Sequence, residues 1–213
     1  MSQEYIPRPA FRRRLFANYY ERTAQGATEK TYIEPLRKEI VAQAKGVVLE
    51  VGAGNGLNFA FYDPQLVECV EATEPDDTML GYARERAEAA SVPVVLSRTR
   101  VEHLPFADAS FDCVVSTLVF CSVAHPLSGM QEIRRVLKPG GRLFMVEHVR
   151  SHKRSVAFIQ DMLTPLSRLF LGNCHWNRYT EQTVQEAGFR EVKVERRLVA
   201  GELLPIVLMI AES

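Results

Sequence analysis

An α/β architecture with a mostly parallel sheet is predicted for this chain, and three observations make the prediction. Short apolar runs alternate with segments whose apolar residues recur every three or four positions. The first run, Val47 to Val51, leads directly into a glycine-rich turn, Gly52-Ala53-Gly54-Asn55-Gly56. The chain closes on two strand-like runs with no helical pattern between them, which reads as an antiparallel pair.

The elements follow in order. Ile33, Leu36, Ile40, Val41 and Ala44 recur at helical spacing and put a helix before the first strand. Val67 to Thr73 is the second strand, and Met79, Leu80, Ala83 and Ala87 mark the next helix. Val92 to Ser97 is the third strand and Phe111 to Ser116 the fourth. A helix runs through Met130, Ile133, Val136 and Leu137, and Lys138-Pro139-Gly140-Gly141 stops it with a turn. Arg142 to Glu147 is the fifth strand. A long helical region covers Ser155 to Leu171. Its Val156, Phe158, Ile159, Met162, Leu163, Leu166, Leu169 and Phe170 are expected to bury against the sheet. Thr180 reads as the N-cap, with Thr183 at the third position, of a helix that Gly188 ends. Val192 to Leu198 and Leu204 to Ile210 complete the sheet.

Composition bounds the function. At 213 residues the chain is read as a single domain, 1–213, long enough for a substantial core. Lys+Arg and Asp+Glu are both 26, so no global nucleic-acid footprint exists, and no nucleic-acid partner is expected. Cys69, Cys113, Cys121 and Cys174 show no C-x-x-C or other metal-ligand spacing, so no metal is expected. Cys69 and Cys113 lie in strand-like runs and read as buried thiols. No signal peptide is legible, and the apolar stretch Leu203 to Ala211 is too short to span a bilayer. A reducing, cytoplasmic setting is the expectation.

The glycine spacing selects among nucleotide-like ligands. Gly52, Gly54 and Gly56 give G-x-G-x-G, and Leu57 stands where a dinucleotide fingerprint has its third glycine. That disfavours a nicotinamide oxidoreductase. No Lys-Ser/Thr pair follows, so a P-loop is unsupported. An acid, Glu74, ends the second strand about twenty residues further on, where a carboxylate can accept from both hydroxyls of a ribose.

The stretch E-V-G-A-G-N-G, from Glu50 to Gly56, resembles motif I of the class I S-adenosylmethionine (SAM) methyltransferases. Glu74-Pro75 and the L-P-F…F-D segment, Leu104-Pro105-Phe106 to Phe111-Asp112, match the same family in order. The resemblance implies a Rossmann-like seven-stranded sheet of order 3-2-1-4-5-7-6, with helices on both faces. It also implies SAM as methyl donor. Gly52, Ala53, Gly54, Asn55, Gly56 and Asn58 would then shape the cofactor pocket, with Glu50 beneath the turn. Glu74 would take the ribose, with Pro75 beside it. Met79, Arg100, Val101 and Glu102 would flank the adenine, although the family's usual Asp-Ala is here Arg100-Val101. Thr117 and Leu118 would meet the methionine part. The arm at 1–30, with Phe11-Arg12-Arg13-Arg14-Leu15-Phe16, would fold over the cofactor and bring Tyr20 to it. The same basic arm suits peripheral contact with an anionic membrane.

T-L-V-F-C-S-V from Thr117, E-H-V from Glu147 and G-N-C-H-W-N-R-Y-T from Gly172 look like the thiol S-methyltransferase branch of the methyltransferase-like proteins. The implied acceptor is a small, apolar or lipid-like molecule with sulfur as the favoured atom. A phospholipid amine or a quinone carbon are the competing acceptors, and a non-enzymatic SAM-binding docking module is the competing class. Residues 151–178 would form the lid. Cys121, His148, Cys174, His175, Asn177 and Arg178 would face the substrate, and His148 and His175 are the candidate catalytic residues.

Overall fold

The computed structural model describes residues 9–198 and 204–213, so the start of the arm and Leu203 lie outside the described residues. Seven strands form one sheet. They are β1 (Gly46–Val51), β2 (Val67–Thr73), β3 (Val94–Ser97), β4 (Phe111–Thr117), β5 (Leu137–His148), β6 (Arg190–Leu198) and β7 (Pro205–Glu212). Their order is β3-β2-β1-β4-β5-β7-β6. The first five run parallel, and β7 pairs antiparallel with both β5 and β6. Both the order and the closing antiparallel pair agree with the sequence expectation.

The pleat of the central strands builds two cores. On one face Leu49, Val114, Leu143 and Met145 pack with Met130, Ile133 and Val136 of α4 (Pro126–Val136). On the other, Val48, Val70, Val115 and Phe144 pack with Ile33 and with Leu36, Ile40 and Val41 of α2 (Glu34–Val41) and with Ala83 of α3 (Asp77–Glu88). Val48 and Leu49 are adjacent and go to opposite faces, as period-2 geometry requires. A single π-helical turn, Glu29–Ile33, joins α1 (Ala10–Thr23) to α2.

Four local expectations are corrected. Thr180 is the first residue of α6 (Thr180–Glu186), not its cap. The carbonyl of Tyr179 takes the first amides, those of Gln182 and Thr183, while Thr180 Oγ1 is buried without a partner. Lys138–Gly141 is not a turn between helix and strand but an interruption within β5. Phe111 faces Leu137 and Cys113 faces Arg142, so the extra residues bulge from the ladder. The C-terminal Ser213 pins that bulge, its amide donating to Gly141 O and its hydroxyl to Lys138 O. β3 begins at Val94 rather than Val92, since Pro93 has no N–H to offer a ladder. Cys69 is only half-buried, whereas Cys113 is buried.

The largest correction concerns α5 (Arg154–Phe170), the helix expected to bury its apolar side. Phe158, Ile159, Met162, Leu166, Leu169 and Phe170 are exposed instead, with Phe158 and Met162 about two-thirds open. The buried face is Ala157, Gln160, Thr164 and Ser167. The reason is what lies underneath. Instead of sheet side chains, α5 covers loop backbone that needs hydrogen-bond partners. The buried Gln160 accepts from Ser151 N and donates to Val149 O, and Ser167 donates to Cys174 O.

Candidate active site

A cavity of about 460 Å³ opens at the carboxyl edge of the parallel strands, within the range of small-molecule sites. Residues following β1, β2, β3 and β4 all reach it. That is the crevice where open α/β sheets bind ligands.

The glycine turn forms one wall. Gly52 has φ +63°, and a Cβ there would sit 2.6 Å from the Val119 side chain. Gly56 has φ +81° and the ring of Phe59 packs at the same short range. Both positions therefore exclude side chains on conformational and steric grounds. The Gly54 amide donates to Glu74 Oε2 at 3.0 Å, and the Asp76 amide donates to Glu74 Oε1 at 2.9 Å. Glu74 is thereby fixed at the rim, and burial pushes its carboxyl up to about 7 despite those two amides. Asp76 caps α3 by accepting from the Thr78 and Met79 amides, which sets the next stretch of wall.

Beneath the turn lies a polar network. Glu50 accepts from Tyr62 Oη at 2.6 Å and from Asn58 Nδ2 at 3.0 Å, and burial raises its carboxyl to about 7. Asn58 also donates to Thr117 Oγ1. Arg37 completes the network. It donates to Thr117 Oγ1 at 2.7 Å, Tyr20 Oη at 3.1 Å, Asn58 Oδ1 at 3.2 Å and Glu29 Oε1 at 2.7 Å. Arg37 lines the cavity with only 4% of its surface exposed. The sequence reading missed it. Its position among the helical residues Leu36 and Ile40 is the one available signal, an arginine one place off an apolar stripe.

The arm crosses this end. Phe16, Ala17 and Tyr20 of α1 line the cavity. Glu21 accepts from Asn55 Nδ2 at 2.6 Å and from Arg86 at 2.6 Å, tying α1 to the glycine turn and to α3. Tyr82 adds a hydrogen bond to Asn18.

Of the residues expected at the cofactor, Tyr20, Gly52, Ala53, Gly54 and Asn55 line the cavity. Glu74, Pro75, Met79, Arg100, Val101 and Glu102 do so as well, as do Thr117 and Leu118. Glu50, Gly56 and Asn58 stand behind the wall and shape it. Leu118 has φ +58° in a non-glycine residue, held by its amide on Val146 O. Such strain gathers where the chain must turn beside a ligand.

The other end of the cavity, where the sequence expected the acceptor, is built from the loop after β4 and the loop after α5. Ser122 and Val123 line it from the first, and Asn173, His175 and Arg178 from the second, with Arg168 at the end of α5. Four hydrogen bonds join the two loops. The His175 amide donates to Cys121 O at 2.8 Å, His175 Nδ1 lies 3.1 Å from the same oxygen, and Asn173 Nδ2 donates to Ser122 O at 2.9 Å. Arg178 donates to Phe120 O. Burial, aided by the Arg178 charge, drops His175 to about 4, so its ring is neutral and weakly basic.

The other residues expected at the substrate lie elsewhere. Among the described residues, Cys121, His148, Cys174 and Asn177 do not line the cavity. Asn177 turns outward to Asp161 on α5, which Arg150 also holds. Cys121, His148 and Cys174 gather behind the wall, their sulfur and nitrogen atoms within 4.8 Å of one another. Hydrogen bonding with Cys174 and burial push the Cys121 thiol well above its usual range, so it is no ready nucleophile. Of the two candidate catalytic residues, His175 lines the cavity as a weakly basic ring and His148 does not line it.

The sheet order and the glycine-turn crevice define a Rossmann-like fold with a ligand site at the carboxyl edge of its sheet. Comparison with known proteins narrows the class. Residues 49–145 match the family model described as a methyltransferase domain. The chain is 35% identical over 193 residues to thiol S-methyltransferase TMT1B of Rattus norvegicus, covering 84% of this chain and 78% of that protein. It is 33% identical to the Homo sapiens counterpart, covering 82% and 75%. Among solved structures, a SAM-dependent methyltransferase of Thermotoga maritima, described as a possible histamine N-methyltransferase, superposes with a TM-score of 0.69. That alignment has 22% identity and covers 96% of this chain and 99% of that one. The chain belongs to the SAM-dependent methyltransferase family that includes these thiol S-methyltransferases, and it is a methyl-transferring enzyme with SAM as its donor.

Proposed function

We propose that the enzyme methylates the sulfur of a small aliphatic thiol, with the cavity divided between cofactor and acceptor. The residues suit the cofactor. The Gly52 and Gly54 backbone gives close approach, Glu74 offers two acceptor oxygens to the ribose, and Leu57, Met79 and Val101 give apolar walls for the adenine. Arg37 is the buried cation for the methionine carboxylate. Bound there, the sulfonium supplies an electrophilic methyl group.

The acceptor needs alignment and a lone pair. Arg178 and Arg168 line the acceptor end, and their positive charge favours a thiolate over a thiol. Neither histidine is suited to remove a proton from a carbon or alcohol acceptor. A thiol with a pKa of about 8.5 ionises without a dedicated base. Its sulfur then forms the bond to the methyl carbon as the bond to the sulfonium breaks, giving a thioether and S-adenosylhomocysteine. Val119 and Val123 exclude water from that path. The observation that carries the reading is the arginine-lined acceptor wall without a competent base, and the thiol S-methyltransferase relatives support it.

The faces that frame the mouth favour a greasy acceptor. Phe11, Leu15 and Tyr19 make an exposed i, i+4, i+8 stripe on α1 beside Arg12 and Arg14, and α5 turns its apolar residues outward. These faces meet the membrane surface peripherally, and among the described residues no helix is long and apolar enough to cross a membrane. Labelled SAM, offered with alkyl thiols, phosphatidylethanolamine vesicles and a quinol, tests the acceptor. Thioether formation is expected. Methyl transfer to the amine or the quinol, with none to thiols, would overturn the assignment.

A further inference from the structure

The cluster behind the acceptor wall carries a second site. Cys121 comes from the loop after β4, His148 from the last position of β5, and Cys174 from the loop after α5. These three separate segments bring two sulfurs and an imidazole nitrogen within 4.8 Å of one another. Both cysteines are buried, at 3% and 7% exposure, and neither forms a disulfide. We infer that Cys121, His148 and Cys174 bind a thiophilic divalent cation of the zinc class, which fastens the lid loop to the sheet.

Three features support it. The donor set is two thiolates and an imidazole, which suits zinc and matches no oxygen-preferring cation. Two thiolates and a neutral imidazole match a divalent charge, and the Glu147 and Arg178 beside them are of opposite sign. The scaffold is also already fixed. The Cys121 and Cys174 loops are joined by the His175 amide and ring on Cys121 O and by Asn173 on Ser122 O, and Ser167 holds Cys174 O from α5. Supporting shells of this kind set ligand orientation in metal sites. The His148 ring already meets the Cys121 thiol, so one ring nitrogen faces the sulfurs before any cation arrives.

Local sequence spacing hid this site. Cys121 and Cys174 are distant in the chain, and His148 lies between them on a strand end. Three protein donors leave one tetrahedral position open to a small ligand. The site stands whichever acceptor atom the enzyme methylates, because the proposal concerns the wall and not the transferred group.

The test uses the whole protein, reduced with a phosphine and stripped of metal. Titration with Co²⁺ is expected to saturate at one equivalent with sulfur-to-cobalt charge-transfer absorption and the visible bands of a tetrahedral ion. Zn²⁺ should abolish both. Cys121→Ser and Cys174→Ser should each weaken binding by more than about 100-fold, beyond the loss caused by removing a supporting residue. Cys69→Ser, on half-exposed β2, should leave the spectrum unchanged. A second measurement needs no variant. In urea just below the unfolding transition, where buried thiols open transiently, Zn²⁺ should slow alkylation of Cys121 and Cys174 and leave that of Cys69 and Cys113 unchanged, as read by peptide mass spectrometry. A missing charge-transfer band, or equal alkylation of the two cysteines with and without Zn²⁺, would overturn the inference.

Discussion

The two ends of the cavity are held by different means. At the cofactor end, consecutive residues on strand ends do the positioning. Gly52 to Gly56 follow β1, Glu74 follows β2, and backbone amides fix the carboxylate. At the acceptor end, loops far apart in sequence are tied by single hydrogen bonds and roofed by α5. The helices repeat the contrast. α4 buries Met130, Ile133 and Val136 against the sheet, whereas α5 buries Gln160, Thr164 and Ser167 and shows its apolar side outward. An amphipathic pattern thus tells that a helix has two faces, and only the surface beneath it decides which one turns in.

That contrast can be broken most directly by stability. Ile133→Ala should destabilise the protein by about 2–5 kcal/mol in denaturant unfolding, since it empties packed core. Met162→Ala on α5 should change stability by less than about 0.5 kcal/mol. Equal losses would mean that α5 has an apolar partner after all.

The next effect is electrostatic and belongs to the cofactor end. Glu74→Gln should weaken S-adenosylhomocysteine binding by about 10–100-fold in calorimetry, the value of charge-assisted hydrogen bonds. Its pH dependence sharpens the point. The carboxyl sits near 7, above its ordinary value, so it is charged only above that pH. Affinity for the wild type should therefore rise between pH 6 and pH 8, and the variant should be flat. Matching slopes would remove Glu74 from the ribose.

The smallest effect probes the outward faces. Arg14→Glu should reduce co-sedimentation with anionic vesicles by about fivefold or more, since each cationic residue near such a surface is worth about 1 kcal/mol. Met162→Asp should weaken binding to neutral and anionic vesicles alike. Unchanged binding in both variants would leave the apolar stripes of α1 and α5 without a lipid partner.

The cofactor end was the legible end, for a physical reason. A strand that stops in a glycine turn writes its geometry into neighbouring residues, so Gly52, Gly54 and Glu74 announce a crevice before any coordinates exist. The sheet order came through a family resemblance, since periodicity alone gives elements and not their neighbours. What stayed hidden was long-range. Arg37 reaches Thr117 across 80 positions, and no local pattern marks a buried guanidinium. The Cys121, His148 and Cys174 gathering spans three segments, so a search for ligand spacing passed over it. His148 fell behind the wall because a strand's last residue can point to either side of the edge. The orientation of α5 was missed because default burial assumes an apolar floor, and this helix stands over loop backbone that its Gln160 and Ser167 pair.

Glu21, clasping Asn55 on one side and Arg86 on the other, makes the first helix a buckle across the mouth. Ionic strength, which screens the Glu21–Arg86 pair, therefore acts directly on how tightly the first helix holds to the glycine turn.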